Sequence, residues 1–189
     1  MERERSSTKL TYADYVALPD DGLRHEIIDG EHYVTPAPVT RHQRISRNLL
    51  YLIQSYLETH PIGEVFCAPF DALLSEFDIV VPDLLYLSRE RGRFLTEKNL
   101  QGPPDLVIEI LSPSTRSRDE RLKRDLYERV GVQEYWLVDP LRDVIHVYRL
   151  DETERFAAAE RYTRGDLVTT RLLPGLQLPV DKVLGPRAA

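Results

Sequence analysis

Residues 105–115 read DLVIEILSPST, and the first seven of them predict a buried β-strand. Alternate side chains of a strand share one face, so Val107, Glu109 and Leu111 point one way and Leu106, Ile108 and Ile110 the other. Glu109 therefore interrupts an apolar face. An unpaired carboxylate in that position is costly and tends to stay protonated.

A second acid interrupts the preceding strand pattern, IVVPDLLYL over residues 79–87. Alternation places Asp83 on one face with Val81 and Leu85, and Pro82 predicts an edge strand or a bulge. Two such acids on neighbouring strands indicate a shared cation, and oxygen ligands suit Mg²⁺ or Mn²⁺. The alternative is that each acid lies near a strand end, exposed or bonded to an arginine.

Other segments flank these two strands. TYADYVAL (11–18) predicts a short helix, and RHEIIDGEHYVT (24–35) predicts a hairpin around Asp29-Gly30. A helix capped by Thr40, with Gln43 as its partner, runs to about Leu57. EVFCAPFDALL (64–74) predicts one strand, bent at Pro69.

A second helix is predicted to begin at a Ser117 cap paired with Glu120 and to end at Gly131. Its apolar stripe is predicted to be Leu122, Leu126 and Val130. Four β-rich segments follow. This order predicts an α/β (α+β) fold in which helices cover a mixed central sheet, with additional N-terminal and C-terminal hairpins. We expect one domain over residues 10–182, with flexible ends at 1–9 and 183–189.

Composition indicates an ordinary globular domain: of 189 residues, 42% are hydrophobic and 30% charged, and the net charge is −6. Cys67 is the only cysteine, which excludes an intramolecular disulfide and suits a reducing cytoplasm. The first ten residues, MERERSSTKL, lack the apolar region of a secretory signal, and no apolar run is long enough to span a membrane. We therefore expect a cytoplasmic protein without membrane partners.

Further polar side chains could join the two acids. Asp119, Lys123 and Tyr127 fall at i, i+4 and i+8 of the second helix, so Lys123 could offset charge on a scissile phosphate. The alternative for Lys123 is an exposed surface charge. Glu26 could be a third metal-side carboxylate or an exposed hairpin residue. His42 could face the same cleft or be structural.

Two arginine clusters could contact phosphates, and binding through them would weaken with salt. The alternative is a solvated helix face balanced by nearby acids. The residues expected to bind nucleic acid are Arg41 and Arg44 on the first long helix and Arg116, Arg118 and Arg124 on the second.

Six segments together resemble the Uma-type family of restriction-endonuclease-like proteins, within the PD-(D/E)XK nuclease superfamily. The segments are RHEIIDGE, TPAPVTRHQRIS, VVPDLLYLS, GPPDLVIEILSPSTRSRD, LKRDLY and GVQEYWLVDP. The resemblance runs from about Thr11 to Leu178. It implies a mixed sheet flanked by helices, with one metal-binding face.

The resemblance also implies roles for particular residues. Pro82-Asp83 would be the PD of the motif and Glu109 its second acid. Leu111 stands where the motif has a lysine, and Lys123 looks like a migrated substitute. Glu26 resembles an additional upstream acid, and His42 and Tyr127 resemble neighbours in the cleft.

On this basis the expected activity is metal-dependent endonuclease hydrolysis of nucleic acid, DNA in particular. Asp83, Glu109 and the Ile110 carbonyl would hold Mg²⁺ or Mn²⁺, and Lys123 would be catalytic. A homodimer is expected if both strands are cut. The alternatives are a catalytically inactive nuclease-like binding or assembly module and, as a third, a metal-free hydrolase that uses a carboxylate pair, such as a glycosidase.

Overall fold

The computed structural model describes residues 9–186 and is organised around a mixed six-stranded sheet. The strand order is β10-β9-β8-β7-β6-β3. Only β7 and β8 are parallel among these pairs, and the others are antiparallel. The strands are β3 (Gly63–Cys67), β6 (Leu84–Ser88), β7 (Leu106–Ile110), β8 (Glu134–Asp139), β9 (Val144–Arg149) and β10 (Glu160–Thr163).

A smaller antiparallel sheet, of order β2-β1-β5-β4, contains the predicted hairpin. Its strands are β1 (Arg24–Ile28), β2 (Glu31–Thr35), β4 (Ala72–Ser75) and β5 (Asp78–Val80). Asp29 and Gly30 both have positive φ, as a tight hairpin turn requires.

Two predicted strands are each divided between the two sheets. The segment 64–74 forms β3 and β4 on either side of Pro69, and the segment 78–87 forms β5 and β6 on either side of Pro82-Asp83. The prediction of single bent or edge strands was therefore wrong. Proline cannot donate a ladder hydrogen bond, so each proline marks the point where the chain leaves one sheet for the other.

The helices cover both faces of the central sheet. α1 (Tyr12–Val16) precedes the hairpin, and α2 (Thr40–Thr59) packs Ile45, Leu49 and Ile53 against one sheet face. A single 3-10 turn occupies Arg91–Phe94 in the described part of the chain. The predicted Thr40 cap was wrong, because Val39 occupies the N-cap position and no side chain caps the helix.

The second long helix has an unexpected π-helical segment. Arg118–Lys123 is π-helical and continues as α3 (Arg124–Arg129), with Ser117 before it making no side-chain cap. The predicted Ser117–Glu120 capping box was therefore wrong. Leu122, predicted to be apolar core, is 44% exposed, whereas Lys123 points inward. A π turn has i→i+5 hydrogen bonds, so it rotates the inward face away from its α-helical position.

The C-terminal part packs on the α2 side of the sheet. Strands β11 (Leu167–Thr169) and β12 (Gln177–Pro179) pair, and α4 (Val180–Leu184) follows them. Val183 and Leu184 are buried in the core beneath α2, so the expected flexible end at 183–189 begins too early. Residues 1–8 and 187–189 of the predicted ends lie outside the described residues. No helix within residues 9–186 has the length and apolar character needed to cross a membrane.

Candidate active site

A pocket of about 270 Å³ lies where β1, the start of β6, the end of β7 and the π-helical turn meet. Four carboxylic acids line it, each from a different element: Glu26, Asp83, Glu109 and Asp119. All four are buried. The pocket also contains Arg24, His42, Arg118 and Lys123. Such a concentration of buried charge requires close compensation.

Asp83 lies between β5 and β6 and is held by three donors. Arg24 Nη1 is 2.9 Å from Oδ1, and the Ile110 N–H is 2.8 Å from Oδ2. His42 Nε2 lies 3.1 Å from Oδ2. Burial alone would raise the pKa of Asp83, but His42, Arg24 and the Ile110 N–H together lower it to about 2. Asp83 is therefore ionised throughout the neutral range.

Glu109 extends from β7 into the same pocket. Lys123 Nζ and the Tyr127 hydroxyl both donate to its Oε1, at 2.8 and 2.9 Å. Burial raises the pKa of Glu109 to about 8; Lys123 opposes this rise, while Asp83 is among the acids that add to it. The two strand acids thus meet in space but differ in charge state at neutral pH.

Lys123 is 1% exposed, so the alternative of an exposed surface lysine is wrong. Its Nζ lies 2.7 Å from Glu26 Oε1, 2.8 Å from Glu109 Oε1 and 3.8 Å from Asp119 Oδ1. Burial opposes its charge, but these three acids raise its pKa above the ordinary lysine value. Lys123 is therefore a permanent cation at the centre of the acids.

Leu111 stands where the motif has a lysine, and the cation beside Glu109 is Lys123 of the π-helical segment instead. Leu111, two positions after Glu109, is buried in the apolar cluster that contains Leu126 and Tyr127. Leu111 also lines the pocket, so an apolar side chain occupies the position where the motif has its lysine. The cation at Glu109 is instead Lys123, which the π-helical turn brings from the helix that packs on this face of the sheet.

Glu26 and Asp119 leave part of the negative charge uncompensated. Glu26 Oε1 accepts the Val81 N–H at 3.0 Å, but its Oε2 and Asp119 Oδ1 are buried without a hydrogen-bond partner among the described residues. Arg118 Nη2 is 3.5 Å from Glu26 Oε2. Burial raises the pKa of Asp119 to about 6, although Lys123 opposes the shift.

The donor set therefore fits a divalent cation. Four carboxylates face Arg24, Arg118 and Lys123, because the fourth lining cation, Arg41, is paired with Asp143. The excess of acids is relieved by a proton on Glu109 or by a bound cation. Within residues 9–186 no three His, Cys, Asp or Glu side chains form a ready-made metal cluster. Mg²⁺ often uses only one or two protein carboxylates and retains its waters, so two acids and a carbonyl are sufficient.

Sequence reasoning missed Arg24 and the role of Asp119 as a pocket acid. Strand alternation could have identified Arg24, because it lies on the same face of the strand as Glu26, two residues later. That shared face points to the pocket, where Arg24 contacts Asp83. No comparable signal identified Asp119 beyond its helical spacing to Lys123.

The predicted phosphate-binding arginines lie in two environments. Arg41 and Arg118 line the pocket, but Arg41 pairs with Asp143 at 2.7 Å and Arg118 contacts Glu26, Thr35 and the Tyr33 ring. The remaining three, which do not line it, are Arg44, Arg116 and Arg124. Arg116 pairs with Asp139 and Arg124 with Asp125, whereas Arg44 is exposed.

Comparisons with known proteins agree on the type of fold. The family model Uma2, described as "Putative restriction endonuclease", matches residues 12–181. A crystal structure from Anabaena variabilis ATCC 29413, titled as a "putative nuclease belonging to DUF820", has a TM-score of 0.78 and 22% sequence identity. The match covers 93% of this chain and 97% of that chain, and at this identity it shows the fold. No curated protein matches the chain significantly.

Proposed function

The chain belongs to the Uma2 family, and on that premise we propose that it is a metal-dependent nuclease that hydrolyses phosphodiester bonds, with DNA as the substrate. One contact carries the proposal: Asp83 Oδ2 accepts the N–H of Ile110, the residue after Glu109. This contact supports a site in which the acids of two strands act on one phosphate.

The proposed ligands of Mg²⁺ or Mn²⁺ are Asp83, Glu109 and the main-chain carbonyl of Ile110. When bound, the cation would lower the pKa of a water and polarise the phosphate. It would also reverse the sign of a field that otherwise repels an anionic substrate. Asp83 is already ionised, whereas Glu109 has to release its proton first.

Lys123 is proposed to hold the attacking water and to offset charge that develops on the phosphate. Its three acidic neighbours keep it charged and fix its direction. Tyr127 orients Glu109 by donating to Oε1, and His42 orients Asp83 through Oδ2. We assign both as positioning residues.

The test is cleavage of DNA, offered both as supercoiled plasmid and as a single strand, with Mn²⁺ or Mg²⁺, comparing wild type with Asp83→Ala, Lys123→Ala and the exposed-acid control Glu152→Ala. We expect Asp83→Ala and Lys123→Ala to lose at least about a hundredfold in rate and the control to match wild type. EDTA should stop cleavage. Cleavage that survives EDTA or the Asp83 substitution would contradict the proposal.

A non-catalytic module is the second candidate, favoured by the burial of Leu111 at the motif's lysine position. Calorimetric titration with Mn²⁺ distinguishes the two. Binding that depends on Asp83 and Glu109 supports the nuclease, and its absence favours the module. A homodimer, expected for cleavage of both strands, stays a prediction.

A further inference from the structure

The acids and Lys123 form the floor of a narrow pocket. Asp83, Glu109 and Lys123 are each no more than 3% exposed, and the pocket above them measures about 270 Å³. A space of this size takes about one nucleotide, not a rigid double helix. A phosphate can reach the floor only on a strand thin and flexible enough to enter.

The mouth of the pocket is apolar. Val39, on the loop before α2, is 69% exposed, and Leu141, on the turn after β8, is 73% exposed. Prolines 36, 38, 113 and 140 also line the pocket, with Ser112 and Ser114 between them. The Arg41–Asp143 ion pair of 2.7 Å joins the first turn of α2, which follows Val39, to the turn that carries Leu141. An exposed apolar rim above a charged floor suits unpaired bases, whose faces are apolar, better than a phosphate backbone.

A second cavity, of about 560 Å³, adjoins the first. The two share Arg24, His42 and Asp83, together with the loop 35–38. Tyr12 and Tyr15 line its far side, and Tyr15 is fixed by a hydrogen bond of 3.0 Å to Asp71. The cavity has room for the next nucleotide of a strand, beside an aromatic surface.

The cations near the mouth are largely engaged within the protein. Arg41 pairs with Asp143 and Arg118 with Glu26. The chain also carries a net charge of −6. Free Lys and Arg side chains support binding of duplex and single strand alike, and this mouth offers few of them, so contacts to the base faces have to contribute more.

We propose that the substrate is unpaired nucleic acid, bound with one nucleotide in the candidate active-site pocket and its neighbour in the adjoining cavity. The proposal rests on the proposed nuclease function and specifies its substrate class. Val39 and Leu141 pack against the bases at the entrance. Paired nucleic acid is excluded unless the strands separate, because the floor cannot otherwise be reached.

The first experiment measures binding without cleavage. Fluorescein-labelled 20-nucleotide DNA, single-stranded or annealed, is titrated with wild-type protein in EDTA at equal salt, and anisotropy gives both dissociation constants. We expect the single strand to bind at least tenfold more tightly. Equal or tighter binding of the duplex overturns the proposal.

Variants locate the contact. Val39→Ala and Leu141→Ala should each weaken single-strand binding by about three- to tenfold, while Leu167→Ala, an exposed apolar residue on β11, should not change it. Circular dichroism shows whether each variant is folded. Folded rim variants that bind as wild type does would overturn the assigned contact.

Cleavage in Mn²⁺ separates this proposal from the nuclease assignment. We expect the single strand, and a duplex carrying an unpaired bubble, to be cut at least tenfold faster than a continuous duplex. Preferential cutting of the continuous duplex overturns the substrate class but leaves the nuclease function intact. Single-strand preference in binding, with no cleavage of any DNA, supports the assignment of the pocket to unpaired nucleic acid as a ligand and overturns the nuclease function.

Discussion

Asp83 and Glu109 line one pocket and differ in charge because their hydrogen-bond partners differ. The Asp83 carboxylate makes hydrogen bonds with Arg24, His42 and a main-chain N–H, and these contacts stabilise its anion. Glu109 shares Lys123 with Glu26 and Asp119, and this single cation does not offset its burial. One acid is therefore ready to bind a cation, and the other is held protonated until a cation arrives.

Matched amide substitutions should have opposite effects on stability. Asp83 has a lowered folded-state pKa, so its stabilisation is present above the unfolded value and is lost as pH falls towards 2. Asp83→Asn removes this stabilisation and leaves Arg24 without its charged partner. We expect it to lower the free energy of unfolding by about 3 kcal/mol at pH 7.

Glu109 has a raised folded-state pKa of about 8, so the folded protein binds a proton that the unfolded chain has lost. Wild-type stability therefore declines as pH rises from about 4.5 to 8. Glu109→Gln mimics the protonated form and should become progressively more stable than wild type over that interval. Thermal unfolding of both variants between pH 5 and 8 tests this, and a Glu109→Gln difference independent of pH would contradict it.

The π-helical turn determines what its helix presents to the sheet. Asp119 and Lys123 face the pocket, Leu126 and Tyr127 face the core, and Leu122 faces solvent. π turns inside helices occur often at functional sites, where they re-aim a side chain. Here the side chain is the cation that three buried acids share.

Replacing that cation should destabilise the fold as well as the site. Lys123→Met preserves much of the stem but leaves Glu26, Glu109 and Asp119 without their shared partner, so we expect a loss of about 3–5 kcal/mol at pH 7. Leu122→Ala, at the exposed neighbouring position, should cost less than about 1 kcal/mol. Urea unfolding of both variants provides the comparison, and equal losses would contradict the assigned role of the turn.

The pocket exists because the chain crosses between two sheets. At Pro69 and again at Pro82-Asp83 it passes between the small and the central sheet, and the second crossing places Asp83 over the end of β7. The hairpin of the small sheet then supplies Arg24 and Glu26. Binding at the pocket should therefore stabilise the whole domain.

A cation effect on thermal stability should depend on pH. Mn²⁺ at about one hundred times its dissociation constant should add roughly 2.7 kcal/mol to the free energy of unfolding. Below pH 8 Glu109 must release a proton before it can bind the cation. The apparent affinity for Mn²⁺ should therefore fall by about tenfold for each unit by which the pH is lowered. Differential scanning fluorimetry at pH 6 and 8 should show the larger increase in Tm at pH 8. Asp83→Ala should show no increase at either pH.

The sequence by itself determined the local elements and the kind of chemistry. Alternation along 105–111 assigned β7 and its two faces, and Asp29-Gly30 assigned the hairpin, because both signals lie within a few neighbouring residues. The position of Glu109 on an apolar face indicated an acid that needs a partner. The family resemblance extended this to the mixed sheet and the nuclease fold.

Only the tertiary structure decided which sheet each strand joins, that Lys123 rather than Leu122 faces inward, and that Arg24 holds Asp83. These features depend on contacts between residues far apart in sequence, such as residues 24 and 83 or 26 and 123. Periodicity and spacing describe one element at a time. The charge state of a buried acid, in contrast, is set by the partners that all the packed elements bring to it.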